Sequence, residues 1–207
     1  MNFFQKIPVF VFSLLYPIKV YGKENIPQGG AVFSCNHFRA IDCGFIALIS
    51  SKKTKYLAKK EIFKNKFISK IVKSYGGIPI DRDNPDVKSL LEAIKALKQG
   101  NKLLIFPEGT RNVSGTNQLQ EIKGGTVIFS VKAKCPIVPI MMLNKAKIFR
   151  TTKIMIGKPF ELAEYYDTKI NDESIVEMEQ ILRQKMIDTQ NQLIELLDKK
   201  KENKKGK

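Results

Sequence analysis

Residues 31–50 read AVFSCNHFRAIDCGFIALIS. The apolar run Ala31–Cys35 opens directly after the turn-forming stretch Pro27-Gln28-Gly29-Gly30. A short apolar run bounded in this way predicts a buried strand. Asp42–Ser50 reads as a helix, which leaves the polar stretch from Asn36 to Ile41 as the loop between them. Strand, polar loop and helix in succession form the unit from which layered α/β folds are built.

The same alternation continues outward. Tyr56–Ala58 reads as a short strand. Glu61–Tyr75 places Ile62, Phe63, Phe67, Ile71, Val72 and Tyr75 at helical spacing, and Gly76-Gly77 stops it. Ile78–Ile80 is a strand; Asn84 then caps a helix with Pro85 in its first position. Val87, Leu90, Leu91, Ile94 and Leu97 form the apolar stripe of that helix, and Gly100 ends it. Lys102–Phe106 is a buried strand, followed by a glycine-bearing loop and a helix around Val127–Lys132. Ile137–Leu143 and Lys153–Ile156 are strands, and Glu173–Leu197 is a long amphipathic helix. The expectation is an α/β fold: a single layered domain over 23–198, with a mixed sheet flanked by helices.

Composition narrows the function classes. The chain has 207 residues and 43% hydrophobic content, enough for one domain with its own core. Lys+Arg 36 against Asp+Glu 20 gives a net charge of +16, which favours anionic partners. Three cysteines, Cys35, Cys43 and Cys135, without C-x-x-C spacing exclude a disulfide framework and a cysteine-rich zinc site. With a single histidine, His37, sites needing several imidazoles are excluded, and any neutral imidazole base must be that residue.

Both termini point to a surface. The apolar run Ile7–Ile18 is flanked by Lys6 and Lys19 and interrupted by Pro8 and Pro17. It falls short of the roughly 20 apolar residues of a spanning helix. No small-residue cleavage pattern follows it, so a signal peptide fits less well. Residues 1–22 are expected to lie in a membrane interface, with Phe3, Phe4, Phe10, Phe12 and Tyr16 in the boundary. The tail 199–207 carries six lysines and one glutamate and is expected to be disordered. Near an anionic leaflet each lysine would add about 1 kcal/mol of attraction.

Chemistry is expected in loops at the strand ends. A histidine serves as general base near neutral pH when a carboxylate fixes its tautomer. His37 and Asp42 are five positions apart, so they meet only if His37 is in the loop and Asp42 in the first helical turn. Phe106-Pro107-Glu108-Gly109-Thr110-Arg111, with Lys123-Gly124-Gly125 downstream, combines cations and glycines as phosphate-binding loops do. Glu108 would hold an arginine in place there. Arg82, in Gly77-Ile78-Pro79-Ile80-Asp81-Arg82, is either a second phosphate clamp or half of a pair with Asp81 or Asp83.

In order and spacing these motifs resemble the glycerolipid acyltransferase family, specifically its bacterial 1-acyl-glycerol-3-phosphate acyltransferases. That family carries N-H-x4-D, G-x-I-x-I-D-R, F-P-E-G-T-R and a proline-containing strand, matched here by Asn36–Asp42, Gly76–Arg82, Phe106–Arg111 and Ile137–Ile140. The resemblance implies that His37 takes the proton from the sn-2 hydroxyl of lysophosphatidic acid while Asp42 orients it. The alkoxide would then attack an acyl thioester, from acyl-CoA or acyl carrier protein, and give phosphatidic acid. It implies an acceptor site shaped by Arg82, Glu108, Gly109, Thr110 and Arg111, with Lys123 as a further phosphate contact. It also implies no metal or cofactor, and a peripheral position on the cytoplasmic face of the cell membrane, against an anionic surface. Arg39, Cys43 and Pro79 stand where many relatives have Ser, Pro and Phe. Arg39 is either an added phosphate contact or a solvent-facing residue.

Three other readings compete. Cys35 lies two residues before His37, the same-face spacing of a strand, so a thiol–imidazole pair could form an acyl-enzyme. The acceptor could be glycerol 3-phosphate or another lysolipid. A non-catalytic basic protein could coat membranes or nucleic acid. The aromatic residues cluster in apolar runs rather than among the lysines, however, so no stacking platform for nucleic acid is visible.

Overall fold

The computed structural model of the chain describes residues 3–50, 54–81, 86–114 and 116–205. Seven strands form one sheet: β1 (Ile18–Tyr21), β2 (Ala31–Cys35), β3 (Thr54–Lys59), β4 (Gly77–Ile80), β5 (Lys102–Ile105), β6 (Ile137–Leu143) and β7 (Thr152–Ile156). Their order is β1-β7-β6-β2-β5-β3-β4. Every pairing is parallel except β6 with β7. The sheet is therefore mixed, and β2 lies at its centre.

Strand alternation sorts the core into two layers. Ala31, Phe33 and Cys35 of β2 pack with Val138, Ile140 and Leu104 on one side of the sheet. Val32 joins Leu103, Ile137 and Met141 on the other. The first side is covered by α1 (Phe3–Leu15) and α2 (Asp42–Ile49), through Phe12, Tyr16, Phe45 and Ile46. The second is covered by α4 (Val87–Lys98), α5 (Gly125–Ala133) and α6 (Asp172–Lys205), through Ala93, Leu97, Val127, Phe129, Met178 and Leu182. A shorter helix, α3 (Lys66–Ser74), stands beside β3 and β4 on the α1 side, where the Tyr56 hydroxyl donates to the Val72 carbonyl.

The structure changes several expectations from the sequence. Residues 18–21, placed in the interfacial segment, form edge strand β1 against β7. Phe12 packs tilted against Phe45 at 5.3 Å and Tyr16 meets it edge-on at 6.3 Å, so both lie partly buried against the core; Phe10, Val11 and Leu14 stay exposed. The side chains of Phe3 and Phe4 lie outside the described part. The helix expected over 61–75 is divided by Asn65, whose Oδ1 accepts from the N–H groups of Phe67 and Ile68 and starts α3 after a 3₁₀ turn at Lys60–Lys64.

Asn84 and Pro85 lie outside the described residues; α4 begins at Val87, capped by the Asp86 carboxylate on Ser89 N–H at 2.8 Å. That helix is turned so that Ser89, Ala93, Ala96 and Leu97 face inward while Val87 and Leu91 are exposed. The small residues let it approach the sheet closely. Finally, α6 runs on to Lys205 through most of the expected tail. The ammonium of Lys200 sits 4.3 Å from the Tyr21 ring of β1, and Lys201 pairs with Asp198.

Candidate active site

The carboxyl ends of the parallel strands β2, β5 and β4 open on one edge of the sheet. Registers Ser34↔Ile105 and Ser34↔Pro139 set the residues after β2 beside those after β5 and along β6. Asn36 extends β2 by one step. Its side chain donates to the Met142 carbonyl at 3.0 Å and accepts from the Met142 N–H at 2.9 Å, mimicking a ladder pair with β6.

His37 follows in the loop and Asp42 is the first residue of α2. The Asp42 side chain turns back, and its Oδ2 accepts from the N–H groups of Phe38 and Arg39, both at 2.7 Å. The same oxygen meets His37 Nδ1 at 3.1 Å. A carboxylate only accepts, so Nδ1 is the donor in this contact, and in the neutral imidazole the lone pair is then on Nε2. The Asp42 side chain is 2% exposed and that of His37 13%, so the pair is sealed behind while the imidazole retains an opening. The imidazole lies flat on Phe106 from the end of β5, centroids 3.8 Å apart and planes 17° apart. Stacking on Phe106 and the Nδ1–Asp42 hydrogen bond together fix the orientation of the ring.

Glu108 is buried and clamps the same loop from the other side. Its two oxygens accept from His37 N–H at 2.9 Å and from Gln120 N–H at 3.1 Å. Among the described residues its partners are thus backbone N–H groups rather than an arginine, and it ties two loops together. The buried Asn112 completes the clamp, its N–H donating to the His37 carbonyl at 2.7 Å and its side-chain amide to the Gln118 carbonyl.

The expected phosphate-binding residues divide. Lys123 donates its N–H to the Pro107 carbonyl and lays its side chain across Gly109. Gly109 has φ +67, a backbone conformation that favours glycine, and a Cβ there would lie 3.0 Å from Lys123 Cδ, a contact the flexible lysine side chain can relieve by shifting. The N-terminus of α5 lies next to them: Gly125 and Thr126 line a cavity of about 250 Å³ with Pro107, Gly109, Lys123 and a larger set of apolar side chains, Leu57, Leu90, Leu104 and Phe129 among them. The Thr126 hydroxyl is buried without a partner among the described residues. Thr110 and Arg111 are exposed, and Arg82 lies outside the described residues. Arg39 donates to the Ala146 carbonyl at 3.0 Å, so part of its guanidinium is spent fastening the motif loop to the turn after β6.

Two further cavities flank this edge. One of about 460 Å³ is lined by Phe38, Asn144, Lys145, Lys147, Arg150 and Lys153 among others, on the β6–β7 side. Another of about 270 Å³ is mainly apolar and lies under α1 and α2, lined by Val9, Phe12, Cys43, Gly44, Leu48, Tyr56 and Leu104 among others. Cys35 is fully buried, and burial, then the charges of Asp42 and Glu108, push its thiol well above the ordinary cysteine value. A thiol held in this way is a poor source of thiolate, which argues against the thiol–imidazole reading. No cluster of metal-ligating side chains occurs among the described residues.

Sequence reasoning gave no role to Asn36, Phe106 or Asn112. Phe106 stands at the end of a predicted strand and the head of the F-P-E-G-T-R motif with no partner indicated; the partners of Asn36 are set by cross-strand register and those of Asn112 by the meeting of two loops.

The family model for acyltransferases matches residues 17–143. A 1-acyl-sn-glycerol-3-phosphate acyltransferase from Bacillus subtilis (strain 168) is 33% identical over 193 residues, which cover 90% of this chain and 94% of that protein. A protein of the same name from Limnanthes alba is 30% identical over 158 residues, and the match covers 55% of its length. Among solved structures, the crystal structure of the 1-acyl-sn-glycerophosphate (LPA) acyltransferase PlsC from Thermotoga maritima superposes with a TM-score of 0.65. It covers 91% of this chain and 83% of that one at 21% identity, a likeness of fold.

Proposed function

The chain belongs to the acyltransferase family, and from that premise we propose that it transfers a fatty acyl group from an acyl thioester to the sn-2 hydroxyl of 1-acyl-glycerol 3-phosphate. The product is phosphatidic acid. The names of the relatives support this acceptor. The observation that carries the mechanism is the contact of His37 Nδ1 with Asp42 Oδ2, which leaves Nε2 as the base.

Nε2 takes the hydroxyl proton as the acceptor oxygen attacks the thioester carbonyl. The tetrahedral adduct collapses with cleavage of the C–S bond, and the imidazolium returns its proton to the departing thiolate. Asp42 stabilises the imidazolium in between. Lys123, Gly109 and the N-terminus of α5 are placed to receive the glycerol phosphate, because a helix N-terminus and an ammonium both favour an anion. Thr110 and Arg111 follow Gly109 along the same loop and are assigned to that site, Arg82 is assigned to the phosphate on the family resemblance alone, and Glu108 positions His37. On the opposite side, the basic cavity around Lys145, Lys147, Arg150 and Lys153 suits the phosphates of acyl-CoA or the acidic surface of an acyl carrier protein. The apolar cavity beside Cys43 and Gly44 suits an acyl chain. No helix among the described residues is long and apolar enough to cross a membrane. The exposed Phe10, Val11 and Leu14 support a peripheral seat for α1 on the cytoplasmic leaflet.

Competition among acceptors tests this reading. With purified protein in mixed micelles and either donor, lysophosphatidic acid is expected to outcompete glycerol 3-phosphate and lysophosphatidylcholine. Preferential acylation of either competitor would overturn it.

A further inference from the structure

An amphipathic helix in a small domain normally hides its apolar side. Helix α3 does not: it has no buried residue. Phe67 is 74% exposed, and Ile68, Ile71 and the preceding Ile62 are exposed as well. At 100° per residue, Phe67, Ile71 and Ile68 fall on one side of the helix, and Lys66, Lys70 and Lys73 on the opposite side. The helix touches the body through Val72, whose carbonyl receives the Tyr56 hydroxyl and whose side chain packs over Gly77. Nine residues are too few for a stable helix without packing, and among the described residues nothing buries the apolar side of this one.

Charge and position indicate what the cover is. The segment Lys59–Tyr75 contains Lys59, Lys60, Lys64, Lys66, Lys70 and Lys73 against one acid, Glu61. Basic residues on the polar side with Phe and Ile on the other are the pattern of a helix lying in an anionic lipid interface. Helix α1 exposes Phe10, Val11 and Leu14 on the same side of the sheet. The two helices also share one apolar cavity, lined by Val9 and Phe12 from α1 and by Tyr75 just after α3. An apolar surface made by two separate helices suits an extended bilayer better than a single docked protein.

We propose that α3 is a second bilayer-seated helix, inserting Phe67, Ile68 and Ile71 among the acyl chains of an anionic leaflet while its lysines meet the headgroups. This goes beyond the proposed function, which assigns a membrane seat to α1, and it rests on that reading only for the choice of a lipid surface.

The chain contains no tryptophan, so Phe67→Trp creates a sole indole reporter at the centre of the patch. Its emission is expected to shift to the blue with phosphatidylglycerol:phosphatidylcholine vesicles and to remain unshifted with phosphatidylcholine alone. Phe67→Glu with Ile71→Glu is expected to lower vesicle partitioning at least about tenfold, as expected when large apolar side chains leave the interface. The fold is expected to hold, because both residues are exposed. Acyl transfer in detergent micelles, read separately, is expected to stay within about twofold; its failure in wild type too would count against the proposed function and leave the vesicle result intact. Unchanged partitioning and an unshifted indole would overturn the proposal. So would a double variant that binds vesicles normally but loses transfer from acyl carrier protein alone, because the patch would then dock the carrier.

Discussion

The two sides of the sheet are built to different ends. On the α4–α5–α6 side, three helices close over Leu103, Met141, Val127 and Leu182, and the long α6 crosses the layer. On the α1–α2–α3 side, only α2 and one face of α1 are sealed, by Phe12, Tyr16, Phe45 and Ile46. The remaining apolar surface there, on α1 and α3, faces outward beside an apolar cavity. Both sides hold a buried core, but one is closed by three helices while the other leaves apolar surface on α1 and α3 exposed, and the His37 loop emerges from β2 between them.

The sharpest way to break this contrast is to truncate one large apolar side chain on each side. Leu182→Ala, fully buried in the closed side, is expected to cost about 2–5 kcal/mol in urea unfolding. Phe67→Ala is expected to stay within about 0.5 kcal/mol. Comparable losses at the two sites would mean that α3 packs against something within the chain.

A smaller effect follows from buried acids that lie on both sides. Burial pushes the Cys135 thiol up to about 11 and the Tyr56 hydroxyl up to about 12. Groups whose folded value is raised stabilise the fold fully below their unfolded value and lose that contribution as pH rises through the folded one. Stability is therefore expected to decline from near pH 8.5, the ordinary cysteine value, to about pH 12, and Cys135→Ala should make the lower part of that decline shallower, with the buried Cys35 thiol still contributing. A stability profile flat from pH 8 to 11 would contradict the assignment.

The contrast also explains what the sequence could reveal. Strands β2 and β6 and the start of α2 were legible because short apolar runs bounded by Gly, Pro or a polar loop have few alternatives. The loop-and-first-turn arrangement needed for His37 to reach Asp42 followed from helical geometry alone. The periodicity of Phe67 and Ile71 announces an amphipathic helix but is silent on what covers it. Strand β1 was hidden because Ile18 merges with the apolar run before Pro17, and its pairing with β7 is set by residues far along the chain. The lysine run after Leu197 reads as a solvated tail, yet it continues α6 to an ammonium–ring contact with Tyr21. The clamps made by Asn36, Glu108 and Asn112 depend on which loops the sheet brings together, and no local pattern encodes that.

The central claim is that His37, held by Asp42, is the base of an acyl transfer to lysophosphatidic acid. The most direct measurement is phosphatidic acid formation by wild type and His37→Ala in mixed micelles, with acyl-CoA and acyl carrier protein as donors. Product is expected from wild type with at least one donor, with a loss of more than about 100-fold in the variant, the low end for a general base. Activity that survives in His37→Ala would contradict it.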